Sequence, residues 1–159
     1  MTKTHLTDTR FDSFDLDSRI LQGLSDAGFA YCTPIQAETL PIALSGRDVA
    51  GQAQTGTGKT AAFLVAALQR LLTHEPPAGR RPTQPRALIV APTRELAEQI
   101  HESFVALGRK TGLRSMAIYG GVGITPQKQK LKRGVEIVVA PHPLYGTPLV
   151  APAIDREPA

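Results

Sequence analysis

Apolar residues recur at helical spacing early in the chain. Over residues 17 to 27 the pattern places Ile20, Leu21, Leu24 and Ala27 on one face, with Asp17 or Ser18 able to cap the start and Gly28 to end it. A second helix start follows, with Thr33 at the cap, Pro34 in the first turn and Gln36 where a capping box needs it. Ile35, Leu40, Ile42 and Leu44 continue it, interrupted by Pro41. "RDVAGQA", residues 47–53, reads as a short buried strand that runs into a Gly-rich turn. From Lys59 to Thr73 the positions Phe63, Leu64, Ala67, Leu68, Leu71 and Leu72 predict a third helix. "HEPPAGRRPTQPR" is a Pro-rich connection, and "ALIVA" after it is the unbroken apolar run of a buried parallel strand. Thr93 then caps a helix with Leu96, Ile100, Phe104 and Leu107 on one face and Gly112 near its end. "SMAIY" and "VEIVVA" are two more strand candidates. Strand and helix alternate, which predicts an α/β fold with an open, mostly parallel sheet and helices on both faces.

At 159 residues, one domain is the natural expectation. The pattern divides the chain into a polar leader over 1–10, a domain over 11–140 and a tail over 141–159 that holds five of the 13 prolines without periodicity. No apolar run approaches membrane-spanning length and the start has no signal-peptide core, so a cytoplasmic location without membrane contact is expected. Cys32 is the single cysteine, which excludes an internal disulfide, and the four histidines are too scattered for a metal-ligand motif. The formal charge of +4 lies in one place: Lys128, Lys130, Lys132 and Arg133 form an acid-free cluster, while the other basic residues balance the 14 acids. Such a cluster suits a phosphate backbone, and a solvated helix face accounts for it equally simply.

The clearest chemistry is "AQTGTGKT", residues 53–60, set between an apolar segment and an amphipathic helix. Gly56 and Gly58 let the backbone curl so that the N–H groups of Thr55, Gly56, Thr57 and Gly58 face phosphates, and the following helix adds its positive end. Lys59 would reach the β and γ phosphates, and the Thr60 hydroxyl would ligate Mg²⁺. Ala53 stands where the usual pattern has glycine. The loop implies a nucleotide but names no reaction.

Three further stretches carry a resemblance. "GFAYCTPIQ", residues 28–36, resembles the Q motif of the DEAD-box RNA helicases, and Phe11 is placed like that family's upstream aromatic. The resemblance implies that Gln36 hydrogen-bonds the adenine edge of ATP and that Phe11 stacks on its ring; local sequence equally allows Gln36 simply to close the capping box with Thr33. "APTRELAEQ", residues 91–99, is similar to the family's motif Ia, and Gly120 with Gly121 to its double-glycine element. It implies that Pro92, Thr93, Arg94, Glu95, Gly120 and Gly121 contact an RNA backbone without reading sequence. Thr93 and Glu95 also suit a helix cap with a dipole-matched acid, and the glycines a plain turn. The longer stretches look like the bacterial helicase B type, whose full-length members work with RNA-degrading machinery; that association is not assigned to this chain.

The resemblance covers residues 11 to about 140. Beyond "VEIVVA" the family continues with T-P-G-R, whereas this chain reads "PHPLYGTP", and neither D-E-A-D nor S-A-T occurs. No catalytic residue is therefore assigned. The fold implied is an incomplete RecA-like phosphate-loop NTPase domain, the N-terminal part of an ATP-dependent RNA helicase, with a frameshifted reading frame, a deliberate fragment or a natural variant as its origin. It should bind ATP, Mg²⁺ and RNA, leaving hydrolysis and unwinding to full-length relatives. A noncatalytic RNA-binding module and a small-molecule kinase are the alternatives.

Overall fold

The computed structural model describes residues 5–142. The chain divides into two compact units, one comprising residues up to Glu75 together with Glu102–Gly112, the other Pro76–His101 and the residues from Leu113 onward.

The first unit is helical. Helix α1, Ser18–Asp26, starts at Asp17, whose carboxylate accepts the Arg19 backbone N–H and is held down to a pKa of about 2, chiefly by the Arg19 guanidinium. Ile20 and Leu24 are buried as the pattern predicts, while Ala27 lies beyond the helix and is exposed. Gly23 allows a close approach that the apolar pattern does not reveal: a Cβ there would stand 2.0 Å from the Leu107 carbonyl oxygen. Helix α2, Pro34–Leu44, runs through Pro41 without breaking, although that ring removes the donor for the Ala37 carbonyl. Helix α3, Lys59–Thr73, buries Ala61, Ala62, Leu64, Val65, Leu68 and Leu71. Leu64, Val65 and Leu68 are fully covered, each worth roughly 1.5–3 kcal/mol of apolar burial. Phe63 departs from expectation and is 40% exposed, because the buried line passes through 61, 64, 65 and 68 and leaves it off the face.

One expectation for this unit changes. Residues 47–53 form no strand and lie mostly exposed, Val49 by 39%. An apolar run becomes a strand only against a ladder partner, and none pairs with it among the described residues. The described part of the polar leader pairs with the stretch before α2. Thr7 N–H donates to the Cys32 carbonyl at 2.8 Å, Cys32 N–H to Thr9 at 2.8 Å, and Phe11 N–H to Ala30 at 3.1 Å, an antiparallel pairing centred on an Arg10–Tyr31 bridge.

The second unit holds a three-stranded parallel sheet in the order β1-β3-β2, with β1 at Ala87–Ala91, β2 at Ser115–Ala117 and β3 at Ile137–Pro141. Ala87 pairs with Ile137 and Ala91 with Pro141, while Ser115 faces Ile137 on the other side. The central strand is the most buried, through Ile137, Val138 and Val139, as a parallel strand with neighbours on both sides should be. Helix α4, Arg94–Leu107, follows β1, and helix α5, Ile124–Lys132, links β2 to β3. Met116, Val135 and Val138 form a cluster with Leu88, Ile118, Leu131 and Ala140 against it. Helix α5 itself buries no residue, and its three lysines, Lys128, Lys130 and Lys132, are exposed, as is Arg133 at its C-cap. Pro141, placed in the expected tail, is the last residue of β3; the tail beyond His142 lies outside the described residues.

Candidate functional site

The phosphate-type loop enters α3 through two glycines in the left-handed region, Gly56 at φ 79° and Gly58 at φ 86°. Among the described residues no acceptor takes the backbone N–H of Thr55, Gly56, Thr57, Gly58 or Lys59. Five consecutive donors beside a helix start are the arrangement that an anion cradle requires. Lys59 opens α3 and folds its Nζ back to donate to the Ala53 carbonyl, and Thr60, one residue on, is half-buried.

The loop is braced from behind by the stretch at the start of α2. Thr33 Oγ1 donates to the Thr57 carbonyl at 2.7 Å, and Gln36 Nε2 to the Gly58 carbonyl at 3.1 Å. Gln36 Oε1 meanwhile accepts the Thr33 backbone N–H at 2.8 Å. Gln36 is only 1% exposed. Of the two roles that local sequence leaves open, the structure displays the capping one, and adds a tie to the loop that sequence did not reveal. Phe11, expected to stack on a base, is buried edge-on against Phe29 with ring centroids 6.0 Å apart. The exposed aromatics in that region are Phe29 and Tyr31, the latter under the Arg10 guanidinium. Cys32 is buried, and that burial pushes its thiol up to about 11, in line with a packing role.

In the second unit, Pro92, Thr93, Arg94 and Glu95 lie exposed where β1 passes into α4. Thr93 caps the helix: its Oγ1 accepts the Leu96 N–H at 3.2 Å, and its carbonyl accepts Ala97 at 3.0 Å. Glu95 sits in the first turn, matched to the helix dipole. The Arg94 guanidinium lies 4.2 Å from the centre of the Tyr119 ring and shares an ion pair with Glu98 at 3.3 Å. Gly121, at φ 79°, is close enough that a Cβ on it would stand 3.9 Å from Arg94 Nη1. Two motifs distant in sequence therefore meet, and Gly120 leaves open space next to them.

Residues 33–149 match the family described as DEAD/DEAH box helicase. The chain belongs to that family. Its sheet and helices are thus those of a RecA-like DEAD/DEAH domain. The chain is 56% identical over 140 residues to the ATP-dependent RNA helicase RhlB of Xanthomonas axonopodis pv. citri (strain 306), covering 88% of this chain and 24% of that protein. It is 52% identical over 139 residues to the protein of the same name from Psychromonas ingrahamii, covering 87% of this chain and 33% of that protein. For the Yersinia pestis (strain Pestoides F) protein of that name the identity is 54%, over 87% of this chain and 32% of the relative. The chain therefore spans about a quarter to a third of the length of these curated relatives. Among the described residues no helix is long and apolar enough to cross a membrane, and no cluster of His, Cys, Asp and Glu could hold a metal ion.

Proposed function

We propose that this DEAD/DEAH box chain binds ATP in the loop Thr55–Thr60 and an RNA backbone at Pro92–Glu95 and Gly120–Gly121, as part of a cytoplasmic ATP-dependent RNA helicase. The observation that carries the nucleotide reading is the row of N–H groups from Thr55 to Lys59 for which no acceptor stands among the described residues. Lys59 would exchange the Ala53 carbonyl for phosphate oxygens, and the Thr60 hydroxyl would face Mg²⁺, which offsets phosphate charge when bound. Gln36 retains an unused N–H and an unused lone pair beyond its two bonds, the donor and acceptor that the N6 and N7 edge of adenine requires. Phe11 lies just behind the exposed Phe29, so ring stacking by Phe11 requires Phe29 to move. D-E-A-D does not occur in the 159 residues, so we assign binding here and leave hydrolysis and unwinding to the longer relatives.

Titration of labelled ATP and GTP against the unaltered chain and Lys59→Ala tests the nucleotide reading. ATP should bind more tightly than GTP, and Lys59→Ala should abolish the binding. Equal affinities throughout reject the site. Turnover that depends on Lys59 would reject the assignment of binding alone.

A further inference from the structure

The turn holding Gly120 and Gly121 has no secondary structure of its own, yet it is fixed at one end by a single side chain. Gln127, in α5, makes two bonds to the backbone of Tyr119: its Oε1 accepts the Tyr119 N–H at 3.2 Å, and its Nε2 donates to the Tyr119 carbonyl at 3.1 Å. Both halves of the carboxamide are used on one residue, which fixes that residue's backbone plane and hence the direction of its side chain. The Tyr119 ring then lies under Arg94, 4.2 Å from ring centre to guanidinium carbon. Arg94 is 45% exposed at its side chain, and its ion pair with Glu98 is a weak surface pair. Without the ring, a long side chain at the start of a helix samples many rotamers, and each phosphate contact must recover that entropy.

We infer that Gln127 and Tyr119 are positioning residues for RNA binding: Gln127 clamps the Tyr119 backbone, and the Tyr119 ring holds the Arg94 guanidinium toward the phosphate path beside Gly120 and Gly121. The inference rests on the RNA-backbone reading given above. Gln127 contributes no charge to RNA, so its effect passes through Arg94. Removing Gln127 therefore removes the contribution of Arg94, and removing both costs no more than removing Arg94.

The experiment measures binding of labelled single-stranded RNAs of two unrelated sequences to the full chain over a range of salt. Arg94→Ala should weaken both several-fold and flatten the salt dependence by about one phosphate contact. Gln127→Ala should do the same although it deletes no charge, and the double variant should match Arg94→Ala. Tyr119→Phe, which keeps the ring, should bind as the unaltered chain does, whereas Tyr119→Leu should behave like Gln127→Ala. Far-ultraviolet circular dichroism on each variant identifies any that has lost its fold, and the two Tyr119 variants decide the matter if Gln127→Ala is one of them. Weakening by Arg94→Ala without weakening by Gln127→Ala and Tyr119→Leu overturns this inference alone. Losses that simply add in the double variant also overturn it. Absence of salt-dependent RNA binding in the unaltered chain removes the RNA reading and this inference with it.

Discussion

Gly58 carries two constraints that can be separated by experiment. Its φ of 86° lies in the left-handed region, and a Cβ on it would stand 2.3 Å from Gln36 Nε2 and 3.2 Å from Thr33 Oγ1. Gly56 carries only the first constraint: φ is 79°, and a Cβ there meets nothing within 4 Å. Gly56→Ala should therefore cost about 1–2 kcal/mol, the penalty of a left-handed side chain. Gly58→Ala adds the displacement of a buried carboxamide from its bonds to Thr33 and Gly58, roughly 1–3 kcal/mol more. Against a typical total of about 5–15 kcal/mol, the difference should be visible in urea titrations followed by circular dichroism. The decisive measurement repeats Gly58→Ala in a Gln36→Ala background, where the shortest clash is gone and the cost should fall toward that of Gly56→Ala, apart from what the 3.2 Å approach to Thr33 Oγ1 retains. Equal losses for Gly56→Ala and Gly58→Ala in the unaltered background would refute the claim that Gln36 packs against the loop.

Three other outcomes follow from contacts described above. Gly23→Ala should destabilise more than any exposed helix substitution, by about 3 kcal/mol or more, because the new methyl meets the Leu107 backbone rather than a movable side chain; a urea midpoint within error of the unaltered chain would contradict that packing. Burial raises the Cys32 thiol from 9.0 to about 11, so the folded state holds its proton more tightly than the unfolded state: the contribution is intact below pH 9 and is lost as pH rises through 11. Stability should drop by ~1–2 kcal/mol between about pH 8 and pH 10.5, and Cys32→Ala should lack that part of the drop; an identical pH dependence in the two proteins counts against it. Glu98→Gln frees Arg94 from its 3.3 Å ion pair and should raise RNA affinity about twofold at low salt with stability nearly unchanged, whereas a fall in affinity would mean that Glu98 helps to orient the arginine.

What was legible in the sequence is what local chemistry decides. Asp17, Thr33 and Thr93 cap helices as their positions predict, since a cap needs only the next turn of chain. The order of α3, β1, α4 and β3 follows from apolar spacing for the same reason. Residues 47–53 misled because a strand is a property of a pair, and periodicity says nothing about whether the partner is there. Gly23 gave no signal, since nothing along α1 records that the backbone at Leu107 comes within reach. In the candidate site, the loop glycines and Lys59 were readable from spacing. The second bond of Gln36 and the Gln127 clamp on Tyr119 were not, because both join separate turns of the chain through a side chain whose local role is already satisfied or unremarkable.

The antiparallel pairing of residues 7–11 with 30–32 has a consequence for the order in which the molecule is assembled. Thr7 and Cys32 are 25 residues apart, with α1 lying between them, while the β1 and β3 partners Ala87 and Ile137 are about twice as distant along the chain. Each doubling of a closed segment adds only ~0.6 kcal/mol of entropy, but parallel pairing must also wait for two crossover helices, whereas the early pairing needs one. It also leaves the ribosome ahead of β3. The pairing that leads into Thr33 and Gln36 is therefore expected to form before the parallel sheet. Amides of Phe11 and Cys32 should gain protection from hydrogen exchange ahead of those in β3 during refolding, and the reverse sequence would show that the sheet nucleates the fold.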